Sequence, residues 1–224
     1  MVSVLILWGH ALAALVFGAL AVGSARTGGT GLPRLSFLAA LSLTALWALA
    51  VAGIDARDVI TRIAESARNI AWLAFIYVLA RQGRRRVGLA ITATFVVVTI
   101  ITMQAGVLAI AEAVSGAAQF AAARTVLRMI VAITGLVLVH HLALAAESTA
   151  RGGVRLALVA IAGMWAMDLA LYATAWLTMD WPGGLIAARG LAMAGIGALL
   201  TVAVHRGGDW TLKPSRTVAF RSLW

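Results

Sequence analysis

The chain has 224 residues, 62% hydrophobic and 12% charged, with mean hydropathy +0.99. Soluble globular domains sit nearer half apolar and about a quarter charged, so a soluble domain is excluded. The formal charge of +10 would suggest nucleic acid in a soluble protein, but here the basic residues fall mostly in short loops between apolar runs; they read as membrane topology, and no nucleic-acid partner is expected.

At about 20 apolar residues per helical span, the length holds about seven spans and leaves no room for an ordinary soluble catalytic domain. The expected class is therefore all-α: a polytopic protein whose main partner is the lipid bilayer. Hydropathy divides the chain into Val2–Ser24, Leu35–Gly53, Asn69–Leu79, Val87–Ala111, Val126–Ala146, Leu156–Leu177 and Leu185–Val204. Residues 1–204 form the transmembrane domain in this reading, and 205–224 a cytoplasmic juxtamembrane tail. The first run carries Ala19-Leu20-Ala21 near its end, but it lacks the basic n-region of a signal peptide and is read as a retained span. Gly28-Gly29-Thr30-Gly31 has no Lys-Ser or Lys-Thr after it and reads as a turn.

The third apolar run is short. Before it, Ala56, Val59, Ile60, Ile63, Ala64 and Ala67 recur at i, i+3, i+4, i+7, i+8 and i+11, which predicts an amphipathic helix over residues 55–68 leading into span three. Of the 18 basic residues, twelve fall on one side (Arg26, Arg34, Arg81, Arg84, Arg85, Arg86, Arg151, Arg155, Arg206, Lys213, Arg216, Arg221). Six fall on the other: Arg57, Arg62, Arg68, Arg124, Arg128 and Arg189. The bias predicts an outside N-terminus and a cytoplasmic C-terminus, as an odd number of spans requires. The expected location is the bacterial inner membrane.

The absence of cysteine excludes disulfides, iron–sulfur ligation and Cys-based zinc sites. The only lysine, Lys213, lies in the tail, so a retinal Schiff base deep in a span is excluded. Kinase, P-loop, zinc-hydrolase and Gly-x-Ser-x-Gly signatures are absent, and no enzyme, metal or cofactor is expected. His140 and His141 are adjacent and point about 100° apart on a helix, so only one of them can face any given haem-like group. With His10 and His205, they read as interfacial or interhelical hydrogen-bonding groups.

Asp168 lies within span six, where an ionisable group is costly and faces the bundle interior, a water-filled cavity or a partner. Tyr172 follows four residues on, on the same face. Arg189, one turn into span seven, is the expected salt-bridge partner of Asp168. Two readings stand for this set: a structural Asp–Arg clasp, or a signal-binding or proton-linked site. Glu65, Arg68, Asn69 and Trp72 recur at i, i+3, i+4 and i+7; Glu65 and Asn69 share a face, and Arg68 can lie over Trp72 in a cation–π contact. The plainer reading of that second set is a surface helix with an interfacial tryptophan. With Glu112, Arg124 and Arg128, these residues could line one cavity, open to the outside and rich in basic groups, for an anionic or glycan-like signal molecule. Arg81 and Arg84–Arg86 read as a topology determinant on anionic headgroups. Gly190, Ala194 and Ala198 form a small-residue stripe on span seven that favours close helix packing.

Glu65-Ser66-Ala67-Arg68-Asn69-Ile70-Ala71-Trp72, Asp168-x-x-x-Tyr172, Ala187-Ala188-Arg189-Gly190 and Asp209-Trp210, followed by Ser215-Arg216 and Phe220, occur in an order and spacing that point to one family. The chain resembles the N-terminal membrane region of the PEP-CTERM/exosortase-associated sensor histidine kinases (PrsK type), most clearly over 62–81 and 124–224. His140-His141 departs from the Glu-Gln-like pair of that family. The resemblance implies the membrane input region of a two-component kinase, which in the family continues into further spans, a GAF-like domain and a kinase core. Trp224 falls where the family's next span would begin, so the expectation is a truncated region or a stand-alone relative, with a cytoplasmic kinase output domain or a homodimer as partner. The rival expectations are a small proton-coupled transporter titrating at Asp168, and a non-sensing subunit that docks a partner through the span-seven stripe.

Overall fold

The computed structural model describes residues 1–26, 32–82, 88–145 and 152–206. Gly28–Gly31, Arg84–Arg86, Arg151 and all of the expected tail beyond Arg206 lie outside them. The described chain forms seven helices: α1 (Val2–Arg26), α2 (Arg34–Gly53), α3 (Val59–Gln82), α4 (Leu89–Ser115), α5 (Ala118–Ala145), α6 (Gly152–Thr178) and α7 (Gly183–His205). Each is long and apolar enough to cross a membrane. This is an all-α polytopic architecture. Every helix packs on its neighbour in sequence, and α7 returns to α1, so the bundle closes as a ring in chain order.

A helix whose solvent is lipid can leave apolar side chains on the outside. Leu15, Val96 and Val159 point outward, while the interior is filled by Trp47, Trp72 and Trp165, each fully buried, with Phe17, Phe37 and Phe75. The least apolar of the seven, α3, is also the most buried.

The start of α3 differs from the expectation. Residues 55–58 form a turn, and the helix begins at Val59 and runs unbroken to Gln82. Asp58 ends the turn by accepting the Ile60 N–H at 2.8 Å, an N-cap that satisfies one of the free donors of the first turn. The amphipathic pattern is real but inverted with respect to a surface helix. Ile60 is 58% exposed and Ile63 40%, whereas Thr61, Glu65, Arg68 and Asn69 are at most 5% exposed. In lipid the apolar stripe belongs outside, and the polar stripe must find protein partners.

The α1–α7 contact closes the ring at glycines. A Cβ on Gly190 would come 2.6 Å from His10 Nδ1 and 2.9 Å from the Gly9 backbone, and one on Gly197 would come 2.7 Å from Val16. The small-residue stripe of α7 therefore runs through Gly190, Ala194 and Gly197. Ala198, expected on it, is exposed. In the bundle α1 occupies this stripe at Gly190 and Gly197.

Candidate functional site

One end of the bundle collects the start of α1, the end of α2, the start of α3, the end of α4, the start of α5, the end of α6 and the start of α7. Within it, four helices contribute a buried ionic cluster: Glu65, Arg68 and Asn69 from α3, Arg128 from α5, Asp168 and Tyr172 from α6, and Arg189 from α7. Glu65 stands six residues into α3 and Asp168 ten residues before the end of α6, about 9 and 15 Å from those ends at roughly 1.5 Å per residue. Such depth in hydrocarbon requires every charge to be paired inside the protein.

Asp168 is held from two sides. Arg189 donates to its Oδ1 through Nε (2.9 Å) and Nη2 (2.6 Å), and Arg68 Nη2 takes Oδ2. The expected Asp168–Arg189 partnership is thus present, but it is not exclusive. Glu65 accepts from Arg128 and from Arg189, and Tyr172 Oη donates to it as well. Arg128 also donates to Tyr172 Oη at 3.0 Å and to the Arg62 carbonyl at 2.9 Å. Asn69 Oδ1 accepts both Nε (3.2 Å) and Nη2 (2.9 Å) of Arg68. Two carboxylates therefore face three guanidinium groups, Arg68, Arg128 and Arg189, and the cluster carries one positive charge in excess.

The aromatic wall is Trp47, not Trp72. The Arg68 guanidinium lies 4.3 Å and that of Arg189 4.5 Å from the Trp47 ring centroid, so one indole supports two cations. Trp72, expected to take Arg68 or to sit at the membrane surface, is fully buried and donates from Nε1 to Thr44 Oγ1 at 2.9 Å. Thr44 can accept because its own hydroxyl proton goes back to the Ala40 carbonyl at 2.7 Å. His10, also fully buried, packs edge-on against Trp47 at 5.5 Å, with Nδ1 2.8 Å from the Ile6 carbonyl. His140 and His141 lie on the exposed side of α5.

A second, shallower group joins the first through Arg62. Arg62 Nη1 and Arg124 Nη2 each lie 2.9 Å from Glu112, on opposite carboxylate oxygens. Here α4 joins α3 and α5. Gly116, in the left-handed region at φ 66°, caps α4 by donating its N–H to the Glu112 carbonyl, which fixes the last turn that presents Glu112. Trp181, in the α6–α7 turn, covers both groups: it lies edge-on to Tyr172 at 6.2 Å, and its ring centroid is 5.9 Å from the Arg124 guanidinium.

All seven expected site residues lie within this region. Glu65, Arg68, Asn69, Asp168, Tyr172 and Arg189 share one network, and Trp72 stands outside it. Arg128, expected with Glu112 and Arg124 among the groups around the site, joins the network itself. The sequence pattern could not select Trp47 or His10, since an apolar helix gives no sign that its tryptophan or histidine faces an arginine. The network residues expected to line an open cavity are buried and bond one another. A cavity of about 320 Å³ does open at this end of the bundle, between α1, α2 and α7, but its walls include Ser3, Val51, Asp55, Arg57 and Gly183 and no member of the ionic network. No group of three or more potential metal ligands occurs among the described residues. No family model matches the chain, and no curated protein or solved structure is significantly similar to it.

Proposed function

We propose that the chain is a membrane-embedded signal-sensing input module that relays a change in helix arrangement to a cytoplasmic output. The observation that supports this reading is the sharing of carboxylates. Arg189 bonds both Glu65 and Asp168, and Arg68 lies 3.9 Å from Glu65 while bonding Asp168. A network in which two of the three cations, Arg68 and Arg189, already have two carboxylate partners has alternative pairings close in energy, and each pairing draws α3, α6 and α7 together differently. A signal acts on such an element only through different affinity for its arrangements.

In this proposal the cluster end faces outside and the C-terminus the cytoplasm, in the bacterial inner membrane, in keeping with the twelve-to-six division of basic residues. The cue is related to the envelope or to exopolysaccharide, and the output is a histidine-kinase core, as the resemblance of the Glu65–Trp72, Asp168–Tyr172 and Arg189 motifs implies. The carrier reading is less well supported. Each of the seven helices is continuous through the depth of the cluster, whereas secondary transporters bind at broken helices near the midplane.

The test is a chimera of residues 1–224 with a histidine-kinase core, assayed for autophosphorylation in native membranes with and without envelope extract. Cue-dependent phosphorylation that Arg68→Gln abolishes, at normal membrane yield, supports sensing. Cue-independent phosphorylation combined with proton-coupled solute uptake by the unfused chain rejects it in favour of the carrier.

A further inference from the structure

The shallow group at Arg62, Glu112 and Arg124 leaves two donors over, where the buried cluster leaves one, Arg68 Nη1. Two guanidinium groups face one carboxylate, so this group too carries one positive charge in excess. Arg62 Nε and Arg124 Nη1 have no acceptor among the described residues, although both atoms are shielded from solvent. Arg124 is 1% exposed, and an unpaired donor that deep is costly. Arg62 binds Glu112 through Nη1, its far nitrogen. The Nε-bearing edge, which grips phosphate or carboxylate oxygens with two parallel bonds, remains without an acceptor at Nε.

Helix lengths place the group near the headgroup boundary. At about 1.5 Å per residue, the 24 residues of α3 and 27 of α4 span about 36 and 40 Å, more than the roughly 30 Å of hydrocarbon. Arg62 lies in the first turn of α3 and Glu112 in the last turn of α4, each three residues or about 4.5 Å from its helix end, so both stand near the edge of the hydrocarbon. Glu112 is 19% exposed and Arg62 12%, so the group can be reached.

The geometry points to a phosphate-binding site at Arg62 and Arg124, in which Glu112, bonded to Arg62 Nη1 and to Arg124 Nε and Nη2, is the intramolecular competitor for the same two guanidinium groups. The phosphate is that of a lipid headgroup or a free anion; the recognition chemistry is shared. Occupancy is felt deeper in, because the Arg62 carbonyl accepts from Arg128 and Arg128 holds Glu65 and Tyr172. The assignment stands apart from the signalling proposal: binding is measured on the chain alone, and its failure would leave the chimera assay untouched.

The experiment titrates the full chain, purified in a phosphate-free maltoside detergent at constant ionic strength, with inorganic phosphate in one arm and dihexanoyl phosphatidic acid in the other. Thermal unfolding midpoint and tryptophan fluorescence are followed. A saturable response to either probe is expected, and the arm in which it occurs distinguishes solute from headgroup. Arg62→Lys keeps the charge but lacks the planar fork, and is expected to weaken binding about tenfold. Glu112→Gln removes the competitor and is expected to tighten it, the opposite of what a purely structural salt bridge predicts. The assignment is overturned if neither probe saturates, if Arg62→Lys binds as tightly as the parent, or if folded Glu112→Gln binds more weakly.

Discussion

Arg189 holds Asp168 through two nitrogens that converge on a single oxygen, Oδ1, leaving Oδ2 to Arg68. The arrangement joins α7, α6 and α3 at one carboxylate, and the surplus of arginine over carboxylate sets the order in which substitutions do damage.

Asp168→Asn leaves Glu65 alone against Arg68, Arg128 and Arg189, a surplus of two positive charges, whereas Arg189→Gln leaves two carboxylates against two arginines. Breaking a buried pair from the side that increases net charge is therefore expected to cost more, about 3–5 kcal/mol, and Arg189→Gln less. The double variant restores the parent surplus of one and is expected to recover part of the loss. Thermal unfolding in detergent checks this, and strictly additive effects would show that the two residues are not coupled.

Arg189→Lys isolates geometry from charge. Arg189 reaches Asp168 and Glu65 at once; a lysine has the charge but not the fork. The variant is expected to insert at normal yield and to unfold at a lower temperature than the parent. An unchanged midpoint would reduce Arg189 to a point charge.

Gly190→Ala drives a Cβ into His10 and the Gly9 backbone, while the same change at Gly195 meets nothing within 4 Å. Overpacking of this kind costs about 1–3 kcal/mol. Gly190→Ala is expected to lower the unfolding midpoint and shift the His10 ring signals, with Gly195→Ala neutral or slightly stabilising. Equal effects would contradict the close α1–α7 crossing.

Topology is checked by reporter fusions. With the N-terminus outside, fusions after residue 54 are expected to report the outside and fusions after residue 83 the cytoplasm. Reversal at both positions inverts the orientation and turns the ionic cluster toward the cytoplasm.

Seven spans were legible in the sequence because apolar length alone decides whether a helix dissolves in lipid. Asp168 and Arg189 were legible as a pair for a similar reason: spans joined by a short turn are neighbours, and a charge at that depth demands a counter-ion. Glu65, Arg68 and Asn69 were visible as a polar face, but whether that face met water or protein was not, since the same 3.6-residue period serves a helix lying on the membrane and one buried inside it. Only the ring closure, with α3 packed between α2 and α4 and the polar face turned inward, decided this. Trp47 and His10 entered the site through tertiary structure alone. Their positions depend on which helices adjoin and at what rotation, and in lipid, where outward and inward faces are both apolar, hydropathy carries little information about rotation.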